Sequence, residues 1–277
     1  VLEQALAQAR LSLADVDAIA VTRGPGLVGA LLVALQVGKA VALARNLPLV
    51  GVHHLEGHLT AVYVDGPGPA FSHIALLVSG GHTAIVVAEA QGRYRVLGQT
   101  RDDAAGEAYD KVAKMLGLPY PGGAIVDRLA QTGDPDALKM PLPMSGREEL
   151  DFSFSGLKTW VKNWLRDKGP LDDVARANLC ASFQATVVRS LVTKTMTAVR
   201  HVGAREVQLA GGVAANSLLR RELTRAGAEH DVAVHIPPIE RCTDNAVMIA
   251  AAGYHRLRAG ERAGLDLNAD ANLPLPT

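Results

Sequence analysis

The chain has 277 residues, of which 48% are hydrophobic, so it can bury a sizeable core and form two modest domains. Its 28 basic and 28 acidic side chains cancel, so overall charge does not mark a nucleic-acid-binding protein, although a local basic patch is enough to bind a nucleic acid. Cys180 and Cys242 are too few for a disulfide framework and form no Cys-x-x-Cys pair, which indicates a reducing cytoplasm.

Strands and helices alternate along the chain. Strands are predicted at 17–22, 47–53, 74–78, 83–88, 94–98, 206–209 and 232–236. Helices are predicted at 1–10, 27–44, 103–116, 124–131, 157–166, 174–202 and 243–257. This order indicates an α/β protein with a largely covered sheet in each half. Residues 134–149 are predicted to be a connecting loop, and the tail at 260–277 is expected to wrap the surface or to be mobile.

The stretch from Leu27 to Ala44 is the most apolar part of the chain. Its length suits a membrane span, but Gln36 and Lys39 interrupt it, and Gly29 and Gly38 weaken it. We therefore predict a helix of a soluble protein, with no membrane association. Because this helix is apolar on nearly every side, we expect it to be buried or pressed against a partner.

His54 and His58 stand four residues apart, so a helix would place both imidazoles on one face, as two ligands of one metal ion require. Two imidazoles and a carboxylate leave coordination positions open for a substrate, and the best candidate carboxylate is Asp244. The alternative is an ordinary surface or core pair of histidines. The zinc-protease motif puts Glu directly after the first His, whereas here Leu55 follows His54 and Glu56 comes one place later, which removes the main support for peptide hydrolysis.

Glycine-rich turns follow three of the predicted strands. Residues 24–29 match a dinucleotide fingerprint, but the acidic residue expected about 20 positions further on is not there, so we interpret the match as a coincidence. The Gly-Gly pairs at 80–81 and 211–212 would let the backbone approach a ligand, or are simple turns. Because they lie in the two halves of the chain, they favour a ligand cleft between domains. Asn216 would present its amide to a ribose or base, or hydrogen-bond within its own helix.

Acidic residues cluster at the helix predicted over 103–116. Asp103, Glu107 and Asp110 share one face, which is usually solvated, and Asp102 or Asp103 is expected to cap the N-terminus. A functional role for Asp110 needs more than this spacing.

Basic residues recur at fourfold spacing on the helix predicted over 157–166. Lys158, Lys162 and Arg166 would form a positive strip facing RNA phosphates, with Trp160 and Trp164 between them. A solvated face over two packed tryptophans is the equal alternative.

Seven strings, in order over almost the whole chain, closely resemble the TsaD family. They are His54-x-x-x-His58, Leu77–Thr83, Asp102–Lys111, Tyr120–Gly123, Asp151–Thr159, Ala210–Asn216 and Cys242–Asn245. Members of that family are the catalytic subunit of tRNA threonylcarbamoyladenosine synthesis and were once described as glycoprotein endopeptidases. Any one of these strings would be weak, but seven in order are highly specific.

The resemblance implies a fold of the actin, sugar-kinase and Hsp70 type, with two ribonuclease-H-like lobes around a nucleotide cleft. The implied N-terminal lobe covers residues 1–100, the C-terminal lobe covers 101–245, and the final helix and tail at 246–277 return toward the first lobe. Relatives begin with a strand and turn upstream of the first residue here, so the first roughly fifty residues are expected to be absent and the N-terminal lobe to lack its opening hairpin.

The resemblance also implies a site. His54, His58 and Asp244 resemble the ligands of a single iron or zinc ion. The residues that resemble the substrate-binding set are Leu77, Val78, Ser79, Gly80 and Gly81 along the activated substrate, and Asp110, Gly123, Asp127 and Asn216 around its adenylate part. No catalytic residue separate from the metal site and no covalent protein intermediate are expected.

The implied reaction transfers a threonylcarbamoyl group from threonylcarbamoyl-adenylate to N6 of the adenosine 3′ of the tRNA anticodon and releases AMP. Its implied partners are tRNA, a paralogous TsaB-type subunit bound to the apolar helix, and a TsaE-type ATPase.

Two other functions stay open. A noncatalytic paralogue that acts as a scaffold shares the fold and the apolar helix, but relatives of that type lack the pair His54 and His58. A small-molecule phosphotransferase of the same superfamily would need ATP and gives the two histidines no role.

Overall fold

The computed structural model describes residues 1–142, 144, 146 and 149–276, and these form two compact units. The first unit comprises Val1–Thr60 and Asn245–Thr277, and the second comprises Ala61–Asp244. The first boundary therefore lies at residue 60 rather than at the predicted residue 100. The reason is that the strand at His73–Val78 pairs with the strand at Glu206–Ala210, so all three strands between residues 73 and 99 belong to the sheet of the second unit.

The helices and strands follow the predicted order. The first part of the chain contains α1 (Leu2–Ala9), β1 (Ile19–Gly24), α2 (Val28–Arg45), β2 (Leu49–His53), α3 (His54–Thr60), β3 (His73–Val78), β4 (Thr83–Ala90), β5 (Arg93–Gln99), α4 (Ala105–Met115) and α5 (Gly122–Ala130). The second part contains α6 (Ser155–Lys168), α7 (Asp173–Val202), β6 (Glu206–Ala210), α8 (Ser217–Glu229), β7 (Ala233–His235), α9 (Ile239–Cys242) and α10 (Ala246–Arg258). The helix predicted over 243–257 thus begins only at Ala246, after the short α9.

The first unit is built on the parallel pair β1 and β2. Helix α2 packs closely on one face, and the contact is made at Gly38. A Cβ at this position would lie only 2.3 Å from Val21 Cγ1, so the close approach requires a glycine. Helix α10 packs on the other face, where a Cβ on Gly253 would lie 2.5 Å from that of Ala20. Since neighbouring residues of a strand point to opposite faces, the unit is a helix–sheet–helix sandwich.

The outer face of α2 is apolar and exposed. By length and composition this helix could span a membrane, yet its inner residues, such as Leu35, are buried on the sheet. Leu27, Val33 and Leu43 remain 84%, 68% and 67% exposed. The prediction that α2 is buried is therefore confirmed for the face that packs on the sheet. The opposite face is not covered by the described part of this chain.

The tail after α10 folds back over the sheet of the first unit. Ala263 pairs antiparallel with Leu49, and the N–H of Asp270 donates to the carbonyl of Arg23 at 2.8 Å. A Cβ on Gly24 would lie 2.0 Å from the carbonyl oxygen of Asp270, so the glycine allows the tail to approach β1. This close packing gives Gly24 a structural role, and the tail wraps the surface, which is one of the two predicted outcomes.

The second unit is built on a sheet with strand order β5-β4-β3-β6-β7. Strands β3, β4 and β5 are antiparallel, whereas β6 pairs parallel with both β3 and β7. All six residues of β3 are buried, as expected for a central strand covered on both faces. The core includes Ile74, Leu76, Tyr109, Phe152, Phe154, Leu157 and Phe183.

The two Gly-Gly turns lie side by side in the second unit. Leu77 of β3 pairs with Ala210 of β6, so both strands end at the same edge of one sheet. Gly211 has a φ of 94°, and a Cβ there would lie 2.3 Å from the carbonyl oxygen of Val78. The prediction that the turns belong to different domains is wrong, because sequence separation does not reveal which strands pair.

Asp102 does not cap α4. The N-cap of α4 is Ala104, which makes no side-chain hydrogen bond, and Asp102 instead accepts hydrogen bonds from the N–H groups of Phe154 and Ser155 at 2.8 and 3.2 Å. The hydroxyl of Ser153 also donates to it at 2.5 Å. Asp102 therefore joins the segment that follows β5 to the start of α6 through these hydrogen bonds. The prediction that Asp102 or Asp103 caps α4 is wrong.

Candidate functional site

The candidate metal ligands His54 and His58 lie on α3, which continues directly from β2. Their ring centroids are 4.9 Å apart, with the planes inclined at 76°. His58 is 1% exposed, whereas His54 is half-buried. The predicted placement of both imidazoles on one helical face is confirmed.

Asp244 joins these histidines through the packing of α10. It precedes Asn245, whose side chain caps α10, and α10 approaches α3 closely where a Cβ on Gly57 would lie 2.8 Å from Ile249. The ligand atoms of the two histidines and Asp244 all lie within 4.8 Å of one another. Ligands of one zinc ion lie about 2.0–2.2 Å from it and hence at most about 4.4 Å apart, so small side-chain rotations suffice to form a site.

The chemistry of this donor set fits a transition metal. Neutral imidazole nitrogens and a carboxylate oxygen are suitable ligands for zinc and iron. Asp244 is exposed, so an ion held there would keep positions open to an incoming substrate. The group could therefore hold one metal ion.

Glu56 lies between the two histidines in sequence but points away from them. Its side chain is fully buried, and its Oε2 accepts hydrogen bonds from Nε and Nη2 of Arg256 at 2.7 and 2.6 Å. Burial raises the pKa of Glu56, and the charge of Arg256 opposes that shift. A general base must reach the proton that it abstracts, which this ion-paired carboxylate does not. The geometry therefore gives no support to a peptidase.

The turn after β3 presents an open backbone. The N–H of Ser79 donates to the carbonyl of His82 at 2.8 Å, which closes the turn. Gly106 of α4 lies against it, since a Cβ there would lie 2.6 Å from the carbonyl oxygen of Ser79. A Cβ built on Gly80 or Gly81 meets nothing within 4 Å, so a ligand can approach this part of the backbone.

The residues before this turn contribute no accessible side chain. Leu77 and Val78 are both fully buried in the core of the second unit. Only their backbone groups are candidates for ligand contact.

Asp127 and Asn216 meet in a polar network that is centred on Gln184. Asp127 Oδ1 accepts from Gln184 Nε2 at 3.0 Å and from the hydroxyl of Ser217 at 2.8 Å. Asn216 Nδ2 donates to Gln184 Oε1 at 2.8 Å, and its Oδ1 caps α8. The local hydrogen bond foreseen for Asn216 is therefore present. Sequence reasoning missed Gln184, because a single glutamine within a long helix carries no motif.

Asp110 and Gly123 lie where α4 meets α5. Asp110 Oδ1 accepts from the N–H of Gly122 at 2.8 Å, at the first residue of α5. A Cβ on Gly123 would meet nothing within 4 Å. Beside them lies a pocket of about 360 Å³ that is lined by Gly80, Asp110 and the exposed ring of Tyr120, among others.

The predicted basic strip on α6 is partly neutralised. Lys158 Nζ lies 3.1 Å from Asp103 Oδ2, and Arg166 Nε lies 3.0 Å from Asp167 Oδ1. Lys162 is exposed on the same helix. Trp160 and Trp164 stack with ring centroids 6.4 Å apart and pack against the core, as the alternative interpretation of this helix required.

Comparison with known proteins identifies the family. The family model described as "TsaD: tRNA N6-adenosine threonylcarbamoyltransferase" matches residues 1–251. The chain belongs to the TsaD family. A relative from Anaeromyxobacter dehalogenans with that enzyme name is 55% identical over 98% of this chain and 81% of its own length. Another from Moorella thermoacetica is 52% identical over 99% of this chain and 81% of its own.

Solved structures share the fold of this TsaD family member. HypF from T. kodakarensis matches with a TM-score of 0.66 at 16% identity, covering 93% of this chain but only 43% of its own. Component A of (R)-2-hydroxyglutaryl-CoA dehydratase from Acidaminococcus fermentans matches with a TM-score of 0.53 at 16% identity, covering 94% and 83%. The fold is mixed α/β and is consistent with the expected actin, sugar-kinase and Hsp70 type.

Proposed function

We propose that the chain transfers a threonylcarbamoyl group from threonylcarbamoyl-adenylate to N6 of the adenosine 3′ of the tRNA anticodon. The N6 amine attacks the carbamoyl carbonyl carbon, the bond from that carbon to the phosphate oxygen breaks, the amine gives up a proton, and AMP leaves. Membership of the TsaD family, together with the cluster of His54, His58 and Asp244, carries this proposal.

In this proposal His54, His58 and Asp244 hold one iron or zinc ion. The mixed imidazole and carboxylate donors support either metal. When bound, the ion supplies Lewis-acid chemistry that polarises the carbonyl and offsets charge on the departing phosphate. The chain contributes a fixed ligand geometry, because the buried pair of Glu56 and Arg256 anchors α3 to α10.

The loop from Leu77 to Gly81 lies along the activated substrate in this proposal. The open backbone at Gly80 and Gly81 supports this role, because an N–H group there can approach an oxygen without obstruction by a side chain. Backbone donors aimed at developing negative charge stabilise a transition state of acyl transfer. Gly106 has no side chain, which allows α4 to pack directly against the backbone of this loop.

Asp110, Gly123, Asp127 and Asn216 hold the adenylate part. Carboxylates accept hydrogen bonds from ribose hydroxyls, and the amide nitrogen of Asn216 can donate to a nucleotide. These residues belong to the second unit, in which Asp127 and Asn216 share the Gln184 network. The arrangement of two lobes around a nucleotide cleft also stays a prediction.

The exposed face of α2 binds the TsaB-type paralogue in this proposal, and a TsaE-type ATPase completes the assembly. Large exposed apolar side chains along α2 and at its N-cap, including Leu27, Val33 and Leu43, indicate a surface that a partner covers. The inner face of α2 packs on the sheet of the first unit, which supports a docking helix rather than a membrane span. A cytoplasmic location accords with the tRNA substrate and the free Cys180 and Cys242.

The strip on α6 is proposed to contact tRNA mainly through Lys162 and Arg166. Lys158 is paired with the part-buried Asp103, whereas the pair of Arg166 with Asp167 is exposed and therefore weak. Reversal of Lys162 and Arg166 to Glu is expected to weaken tRNA binding and to reduce its salt dependence. Unchanged tRNA affinity and salt dependence in this double variant would show that the strip is only a surface.

Reconstitution tests the proposed reaction. The purified chain is mixed with its paralogue, tRNA and threonylcarbamoyl-adenylate, and modified adenosine is measured by mass spectrometry of digested tRNA. We expect modification by the parent and by His230→Ala, a control at an exposed histidine at the end of α8, and its loss in His58→Ala. Equal modification by His58→Ala would contradict the proposed site, and no modification by the parent would contradict the function.

A further inference from the structure

We propose that Gln184 of α7 is a positioning residue, which fixes the side chains of Asp127 and Asn216 in the orientation that receives a nucleotide. This inference rests on the proposed function, in which both residues hold the adenylate part. Gln184 lies in the interior of α7, far from both ends of the helix. Its side chain hydrogen-bonds both to Asp127 of α5 and to Asn216 at the N-terminus of α8, although these two residues are distant in sequence.

The amide of Gln184 has only one favourable orientation. Its oxygen faces two donors, the amide nitrogen of Asn216 at 2.8 Å and the hydroxyl of Tyr109 at 3.4 Å, while its nitrogen faces the carboxylate of Asp127 at 3.0 Å. A reversed amide would set nitrogen against nitrogen and oxygen against oxygen. Because only one amide orientation satisfies these contacts, Gln184 always donates to Asp127 and always accepts from Asn216.

Burial makes this orientation rigid. Gln184 is 3% exposed and Tyr109 is 2% exposed, so water does not replace a lost partner at low cost. Burial raises the pKa of Tyr109 well above its ordinary value, which keeps its hydroxyl protonated as a donor. A buried network whose members are satisfied holds its side chains in one arrangement.

The network decides what Asp127 and Asn216 offer to a ligand. Asp127 Oδ1 is occupied by Gln184 and by the hydroxyl of Ser217, while Oδ2 accepts only the weaker 3.2 Å bond from the N–H of Ser217 among the described contacts. Oδ2 is thus the oxygen that can accept a ligand hydroxyl. Asn216 uses its oxygen to cap α8 and donates one amide hydrogen to Gln184 at 2.8 Å. Its second amide hydrogen makes only a long contact of 3.5 Å with the hydroxyl of Tyr109, so it is the hydrogen that can turn to a ligand.

Gln184→Met tests this role, because it keeps the length of the side chain and removes the hydrogen bonds to Asp127 and Asn216. AMP is the probe, and its dissociation constant is measured by calorimetry. We expect the affinity for AMP to fall about tenfold, as the loss of two orienting hydrogen bonds implies. The KM for threonylcarbamoyl-adenylate should rise similarly, while kcat and the KM for tRNA change little.

Gln184→Glu supplies a readout that a merely structural role would not move. It places a second carboxylate at hydrogen-bond distance from Asp127, so the two charges repel until one proton is shared. AMP affinity should therefore be lowest at neutral pH and recover as the pH falls, whereas Gln184→Met should show no such recovery. Absence of this difference would overturn the proposal.

Gln208→Met is the matched control, since Gln208 is also a buried glutamine of the second unit but is bonded to His73. We expect it to leave AMP affinity unchanged. In the unliganded chain, hydrogen exchange at the N–H groups of Ser217 and Leu219, which bond to Asp127 and Asn216, should accelerate in Gln184→Met and not in the control.

These measurements separate the two proposals. If the folded Gln184→Met variant binds AMP as tightly as the parent, or exchanges these protons at the parent rate, the positioning role is contradicted while the proposed function stands. If the parent binds no AMP and transfers no threonylcarbamoyl group, the proposed function fails, and the exchange measurement still decides whether Gln184 orders its neighbours.

Discussion

Glu56→Gln should destabilise the first unit substantially, although it changes little of the side-chain volume. The carboxylate of Glu56 is fully buried and accepts two hydrogen bonds from Arg256, which is itself only 16% exposed. Removing one partner of such a pair typically costs about 3–5 kcal/mol, because the other charge stays buried. Arg256 keeps a second partner, Glu261, at 2.7 Å, so we expect the low end, about 3 kcal/mol.

Urea unfolding of the variant measures this loss. Glu229→Gln is the control, because Glu229 pairs with Arg225 on the exposed surface of α8, and such pairs contribute little. Adding Arg256→Met to Glu56→Gln should restore much of the stability, since replacing both charges by apolar or neutral groups removes the unpaired cation. A loss no larger than that of Glu229→Gln, or a further loss in the double variant, would refute the reasoning.

Three other predictions follow from the second unit and from α2. Burial alone would raise the pKa of Asp102, but its hydrogen bonds at the start of α6 outweigh burial and hold that pKa below its ordinary value. The resulting stabilisation is complete above the ordinary pKa of an aspartate and is lost as the pH falls through the lowered value. Asp102→Asn should therefore flatten the acid end of the stability profile, and an unchanged profile would contradict this. Gly106→Ala should cost about 1–3 kcal/mol in urea unfolding and slow transfer, because its methyl group would collide with the carbonyl of Ser79; parent stability and rate would contradict the packing. Val33→Glu with Leu43→Glu should abolish binding of the paralogue in calorimetry without lowering the melting temperature, and retained binding would exclude this face of α2.

Local periodicity predicted much of the fold and the placement of His54 and His58 on one helical face. The helical spacing of His54 and His58 is a property of one short segment, and α3 bears it out. The strands predicted at 74–78, 83–88 and 94–98 carry their own pattern of apolar residues, and β3, β4 and β5 are found there. Such features depend on residues only a few positions apart, so they can be predicted from the sequence of one segment.

Pairing between distant segments was not accessible from those patterns. The parallel pairing of β3 with β6 moves the domain boundary to residue 60 and brings both Gly-Gly turns to one sheet edge, yet nothing in either strand specifies its neighbour. Asp102 serves α6 rather than its own helix for the same reason. Gln184 depends on three elements that converge, so only the folded chain reveals it.

Transfer measured against metal content is the most direct test of the central claim. The chain is stripped with a chelator, reloaded with increasing amounts of iron or zinc, and assayed with its paralogue, tRNA and threonylcarbamoyl-adenylate. We predict that modified adenosine rises with bound metal and stops rising at one ion per chain, and that His54→Ala, His58→Ala and Asp244→Ala bind no ion at this site and remain inactive. Full transfer by the stripped chain, or by variants that lack the ion, would contradict the account.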